Sequence, residues 1–446
     1  MKLGTTNSSV IGKEQRETAM TRKHTLLTAV ATIALTLTAA RAADNDPWFE
    51  LKDFGPVTQR VAVTVENPAD VDVDSALVHI PMNQLRKADS DCKINQVCVV
   101  DPTADRSHIR RDAAELNFIP SQVNQKTLIF ALPLKAHESK KVYVYSAPSR
   151  LNMPGFPPKT AWDNRKAYRS FENNLVAYRM ETGPGANTMG LGIDAFGKTK
   201  KGQGLRLQEA YETGHDSYHK LAYWGVDILK VGYGPALGGI YVMTPDGKKQ
   251  GRPQFPTSFV DCLYSGPVET KLRCTAPVEV AGRKVTVTRI YTVWANDRTI
   301  LSEDKVTGDN LDGLTIGIGL RDMPNPTWIE KPDPGYAISA GDSNQPESGY
   351  TSNALAAVFP QSGFTSVIPI EDNKHKPGFG DAGHIYVLKP NLQDNTLTAT
   401  NRLTITWNGD AQIPTYQDMD KWCQRWVAQR DNPIKVTVGT EAEKKQ

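Results

Sequence analysis

Apolar residues along this chain recur mostly at every second position. RVAVTVE (Arg60–Glu66) and ALVHIP (Ala76–Pro81) alternate in this way, and the runs Thr127–Leu132 and Lys141–Tyr145 follow them. Period two sends one face of a segment into a core and the other into solvent, so each run predicts a strand. The links between them carry turn chemistry: Asn67-Pro68-Ala69-Asp70, Asp101-Pro102 and Lys135-Ala136-His137-Glu138. Residues 56–148 therefore predict a small N-terminal β-sandwich, with Arg110, Arg111 and Asp112 on a solvated face.

The proline- and glycine-rich stretch Leu151–Lys159 predicts a linker into a second domain, residues 160–436. Short strand patterns dominate again there: Leu175–Met180, Leu205–Leu207, Lys284–Val293, Leu314–Leu320, Ala354–Phe359, Ile385–Leu388 and Asn401–Trp407. In KVTVTRIYTV (Lys284–Val293) one face is expected in the core, with Lys284, Thr286, Thr288 and Tyr291 on the other. Tyr416–Gln429 alone has helical spacing, placing Met419, Trp422 and Trp426 on one face. No repeat with a period of 20–50 residues is visible, which disfavours a propeller or β-helix. The fold class is all-β, a small sandwich followed by a large one with a short C-terminal helix.

Residues 1–43 are expected to be a leader. Met20-Thr-Arg-Lys-His is basic, Leu26–Thr38 is apolar, and Ala40-Arg41-Ala42 suits a small-x-small cleavage site, with Met20 a possible start. The apolar run is shorter than a membrane span and nothing later reaches that length. A secreted or periplasmic monomer is expected. The formal net charge of +3 is too small and too evenly spread for nucleic-acid binding. Among five cysteines, the close spacings Cys92/Cys98 and Cys262/Cys274 predict two disulfides, leaving Cys423 as a buried small apolar residue.

The stretch Tyr211–Tyr241 breaks the alternation. His215, Asp216, His219, Lys220, Asp227 and Lys230 lie in it, interleaved with Tyr218, Tyr223, Trp224 and several glycines. So many polar groups cannot all be satisfied inside a core strand. The stretch reads as an ordered loop leading into a strand near Leu237–Met243, and such loops often carry chemistry. No G-x-S-x-G elbow, P-loop, dinucleotide fingerprint or H-E-x-x-H is present. The i, i+4 spacing of His215 and His219 would suit a metal only on a helix, which Gly214 and the aromatics oppose. No resident metal is expected, although a divalent cation could neutralise an acidic substrate. The bland alternative is that both histidines only hydrogen-bond within the loop.

Several segments resemble a family of exported bacterial proteins catalogued as domain of unknown function 4861. They are Trp162–Arg169 (WDNRKAYR), Asn174–Arg179 (NLVAYR), Gly192-Ile193-Asp194, Tyr218-His219 and Val226–Gly232 (VDILKVG). The chain departs from the family pattern after Tyr218-His219, where Lys220-Leu221 stand. The resemblance implies a β-supersandwich for the large domain, similar to galactose-mutarotase-like and polysaccharide-lyase proteins, and a carbohydrate substrate.

Set in that context, the residue types suit β-elimination (lyase or dehydratase) on an acidic, uronate-containing oligosaccharide. A neutral base and a proton donor are needed, which His219, Tyr218 and His215 supply. The developing enediolate needs cations or donors: Arg165, Arg179, Lys220 and Lys230, with Asp194 beside them. Tyr223, Trp224 and Trp328 suit the apolar faces of sugar rings, though each is more often a core residue. A mutarotase-like epimerase and a noncatalytic carbohydrate-binding protein are the rivals. Hydrolysis by paired carboxylates ranks below these, because adjacent Glu303 and Asp304 must point to opposite faces of a strand.

Overall fold

The computed structural model describes residues 48, 57–93, 97–103, 118–124, 126–147, 158–165, 168–182, 191–207, 216–232, 234–254, 259–371 and 382–444. All but residue 48 belong to one compact unit, 51–446. The expected leader, Arg110–Asp112 and His215 lie outside the described residues. The fold is all-β and sandwich-like, built from antiparallel sheets with two α-helices among the described residues.

Two sheets near the start of this unit pack on each other around a shared core. One contains Gln59–Glu66, Ser139–Ser146 and Val97–Val100, and the other Val73–Pro81, Thr127–Leu134 and Ser121–Asn124. Alternation turns Val61, Val63, Val65 and Val144 of the first sheet onto Val78, Ile80, Leu128 and Phe130 of the second. The sequence pattern did not indicate that the chain's end returns here. Lys435–Val438 pairs with Gln59–Glu66, completing the first sheet from a position far along the chain.

The larger part has three sheets. A nine-stranded sheet runs from Phe259–Ser265 to the edge strand Thr327–Lys331, with Glu269–Val280, Arg283–Trp294, Ile300–Gly308 and Thr396–Trp407 near its middle. A five-stranded sheet contains Leu237–Met243, Thr315–Arg321 and Gly383–Leu388. A second five-stranded sheet, in the order Gly225–Asp227, Asp194–Lys198, Val176–Glu181, Tyr168–Asn173 and Thr160–Arg165, carries the candidate site. All three contribute to one core that includes Tyr178, Val226, Ile240, Tyr291, Ile318, Leu403 and Trp407. The helix Tyr416–Asp431 starts on a Thr415 cap, whose side chain accepts from Asp418 N. It buries Met419, Cys423 and Trp426 against Ile338, Ala356 and Val358, with Trp422 partly buried beside them.

Two local expectations are corrected. Residues 205–206 are not strand, because the carboxylate of Glu172 holds the amides of Arg206 and Leu207 while also binding Lys198 Nζ. Tyr291 lies on the buried face of its strand and not on the polar one, since it shares the odd-numbered face with Val285 and Val287. Arg289 occupies that same face, fully buried, and Asp304 on the neighbouring strand binds it through two nitrogens.

The expected disulfides are also corrected: all five cysteines are free. Cys262 pairs with Leu272 and Cys274 with Val260, so the two cysteines are diagonal neighbours. Such neighbours are roughly 7–8 Å apart, beyond the reach of an S–S bridge. Cys92 points into the sandwich core alongside Val99, whereas Cys98 is adjacent to Val99 and takes the opposite face, paired with Tyr145. Burial pushes the thiols of Cys92 and Cys262 up to about 11, and those of Cys98 and Cys274 up to about 12.

Candidate functional site

The site begins with strand register. Arg179 stands opposite Asp194, and Phe196 opposite Asp227. Because side chains alternate, Arg179, Asp194, Phe196 and Asp227 share one face of their sheet while Tyr178, Met180, Ala195 and Val226 supply the core on the other. The 3₁₀ turn Asp216–His219 covers the polar face and brings Tyr218 and His219 over it.

Arg179 is the centre. Its NH2 lies 2.5 Å from Asp194 Oδ2 and 3.7 Å from Asp227 Oδ2. The rings of Tyr168, Phe196 and Tyr218 surround its guanidinium at 4.9, 5.2 and 5.4 Å. Asp227 is held from several directions: its Oδ1 accepts from Leu229 N (3.1 Å) and Gln345 Nε2 (3.0 Å). Its Oδ2 faces His219 Nδ1 at 3.3 Å, an ion-pair distance without hydrogen-bond alignment. Catalytic contacts commonly have this looser geometry before substrate binds. Nδ1 is buried, yet 45 % of the His219 side chain is exposed, so the far edge of the ring, with Nε2, is the open one.

Tyr218 packs against this ring with centroids 4.2 Å apart. Burial raises its hydroxyl pKa, and the Arg179 guanidinium that bonds it opposes the rise. The buried hydroxyl of Tyr350 is raised by burial first, with the charges of Asp227 and Asp194 adding to the rise.

Tyr218, His219, Arg179 and Asp194 thus come together. Trp224 does not join them as a platform, because it is buried among Ala177, Phe196 and Leu207. Tyr223 is 57 % exposed, with the Arg206 guanidinium 5.9 Å from its ring centroid. Lys220 is exposed and forms no ion pair among the described residues. Lys230 is tied by its backbone to Asn344. Arg165 ends the strand Thr160–Arg165, and its side chain lies outside the described residues, as does His215. Sequence reasoning missed Asp227 as the partner of His219, and Gln345 and Tyr350 altogether. Only the i, i+8 proximity of His219 and Asp227 hinted at a pair. Among the described residues no group of three or more His, Cys, Asp or Glu could hold a metal. A cavity of about 580 Å³ lined by Tyr241, Arg252 and Glu279 shares no residue with this cluster.

An all-β, sandwich-like protein with a cluster of titratable side chains on one sheet face is the class that fold and site define. The chain belongs to the family of the domain of unknown function DUF4861, whose sequence pattern matches residues 65–436. Curated protein sequences gave no match. Among solved structures, a glycosyl hydrolase family 38 protein from Enterococcus faecalis is similar at 7% identity and TM-score 0.46, over 85% of this chain and 47% of that one. An alpha-mannosidase from Enterococcus faecalis V583 is similar at 9% identity and TM-score 0.41, over 96% and 50%. This chain spans about half the length of the solved structures it matches.

The expectation of β-elimination on a uronate is corrected. The solved structures just named are hydrolases by title, not lyases. The cation of the cluster is also unavailable to a substrate carboxylate, since Arg179 is buried and already faces two carboxylates.

Proposed function

We propose that this protein is a carbohydrate-active enzyme that transfers protons at oxygen atoms of a neutral sugar, with His219 as the exchanging group. The observation that carries the reading is the posture of His219: Nδ1 buried against Asp227 Oδ2, the rest of the ring open. A carboxylate behind one imidazole nitrogen fixes the ring and stabilises its protonated form, so the other nitrogen can take a proton from a hydroxyl and return it. Tyr218 supplies a second hydroxyl beside the ring, held by Arg179. Neither Asp194 nor Asp227 is placed to attack an anomeric carbon, because both are buried and bonded to protein donors.

A sugar is favoured by the exposed Tyr223 ring near the turn, which offers a flat apolar surface among polar groups. All the described members of the cluster fall in residues 160–436, which we take as the catalytic part. The leader pattern in residues 1–43 supports a secreted or periplasmic setting.

The test is a panel of neutral mono- and oligosaccharides, followed by product mass and by NMR of the anomeric protons. His219→Ala should lower turnover by roughly 10²–10⁴ with the fold retained, the usual scale of general acid–base catalysis. A folded His219→Ala variant with wild-type turnover, or a wild-type protein inert toward the whole panel, would overturn the proposal.

A further inference from the structure

A second group of side chains lies where the edge strand Thr327–Lys331 of the nine-stranded sheet meets the strand Gly383–Leu388 of a five-stranded sheet. Trp328 and Glu330 share one face of the first strand, His384 and Tyr386 one face of the second. The indole of Trp328 stacks on His384 with centroids 3.9 Å apart and planes at 10°. His384 Nδ1 meets Glu330 Oε1 at 2.7 Å, and Tyr386 OH donates to the same oxygen at 3.0 Å. Both bonds end on Oε1, so Glu330 Oε2 and His384 Nε2 remain for something else. Asp322 closes the group from the next strand end. Its Oδ1 is buried with no hydrogen-bond partner, and burial raises its carboxyl, with His384 and Arg321 opposing.

A buried oxygen without a donor is costly, and such atoms in a folded protein call for an explanation. The four groups offer a flat, partly exposed aromatic plate together with one unused nitrogen and two unused carboxyl oxygens. That combination matches a ring compound with apolar faces and hydroxyls at its edge. We infer that Trp328, His384, Glu330 and Asp322 form a second saccharide-binding site, distinct from the His219 cluster. A neutral sugar lies against the Trp328–His384 plate and donates hydroxyls to Glu330 Oε2 and Asp322. The choice of a sugar as ligand class rests on the functional reading above, but the site itself does not.

The experiment is isothermal titration of the full chain with cellobiose, maltose and lactose, with turnover measured on the same samples. Wild type should show a binding event that Trp328→Ala removes and that Glu330→Gln weakens about tenfold or more, as expected for hydrogen bonds to a charged group. His219→Ala should leave that event in place. Glu330→Gln keeps the side-chain shape and decides the matter if Trp328→Ala fails to fold. No binding in wild type, or binding unchanged in folded Trp328→Ala and Glu330→Gln, overturns the inference. Binding lost with Trp328 in a protein without turnover keeps this inference and removes the catalytic one. Turnover lost with His219 but no Trp328-dependent binding does the reverse.

Discussion

Arg179 and Asp194 stand directly opposite each other on adjacent strands, and the guanidinium NH2 lies 2.5 Å from the carboxylate Oδ2. This pairing sets the chemistry of the whole cluster. It commits the cation to the protein's own carboxylates, and it aligns Asp227, 3.7 Å from the same nitrogen, beneath His219. What the cluster presents outward is therefore the open edge of the His219 ring rather than the Arg179 guanidinium.

Asp227→Asn keeps the shape of the residue and removes its charge. Turnover on a neutral sugar should fall by at least roughly 10²-fold, within the scale of general acid–base catalysis. A variant with lower thermal stability but unchanged turnover per folded molecule would assign Asp227 a structural role only.

Asp304→Ala should be severely destabilising. Arg289 and Asp304 are both completely buried, with two nitrogens of the guanidinium on the two carboxylate oxygens. Removing one partner strands a charge in the core, at a cost of about 3–5 kcal/mol. The double variant Arg289→Met with Asp304→Leu should recover most of that loss. Urea unfolding of the three proteins checks both parts; equal midpoints for Asp304→Ala and wild type would contradict the first.

The cysteines should behave as thiols. In denaturant without reductant, all five should react with a thiol reagent. In the native protein Cys98, Cys274 and Cys423 should be protected by burial. Burial also raises each of these thiols, so little thiolate is available near neutral pH. Peptide mapping that recovered a Cys262–Cys274 bridge would contradict the strand register.

Asp322 gives a pH prediction with a definite sign. Its folded carboxyl is raised above its ordinary value, by burial first. Between the unfolded and folded values the native state binds more protons, so stability falls as pH rises through that window. Asp322→Asn has no such dependence. It should be more stable than wild type at neutral pH, with the gap closing as the pH is lowered toward 4. Denaturant midpoints at several pH values measure this, and a gap that widened on acidification would refute it.

Strand content and the C-terminal helix were legible in the sequence because their periods follow from local backbone geometry alone. Leu237–Met243 is a strand with the bounds its pattern suggested, and Met419 and Trp426 are buried on one helical face. Tyr218 and His219 were legible as candidates because polar groups crowded into a stretch without alternation need a special environment, and Arg179 and Asp194 through segments that resemble the family. Tertiary structure alone decided their relations. Which residue faces Arg179 depends on strand register, and register pairs Phe196 with Asp227 across 31 positions of chain. The same holds for Arg289, a charge on an inward face that makes sense only beside Asp304, and for the cysteines, whose spacing in sequence says nothing of the diagonal that separates them. Periodicity records which face is wet. Only pairing between distant strands determines which charges meet on the dry one.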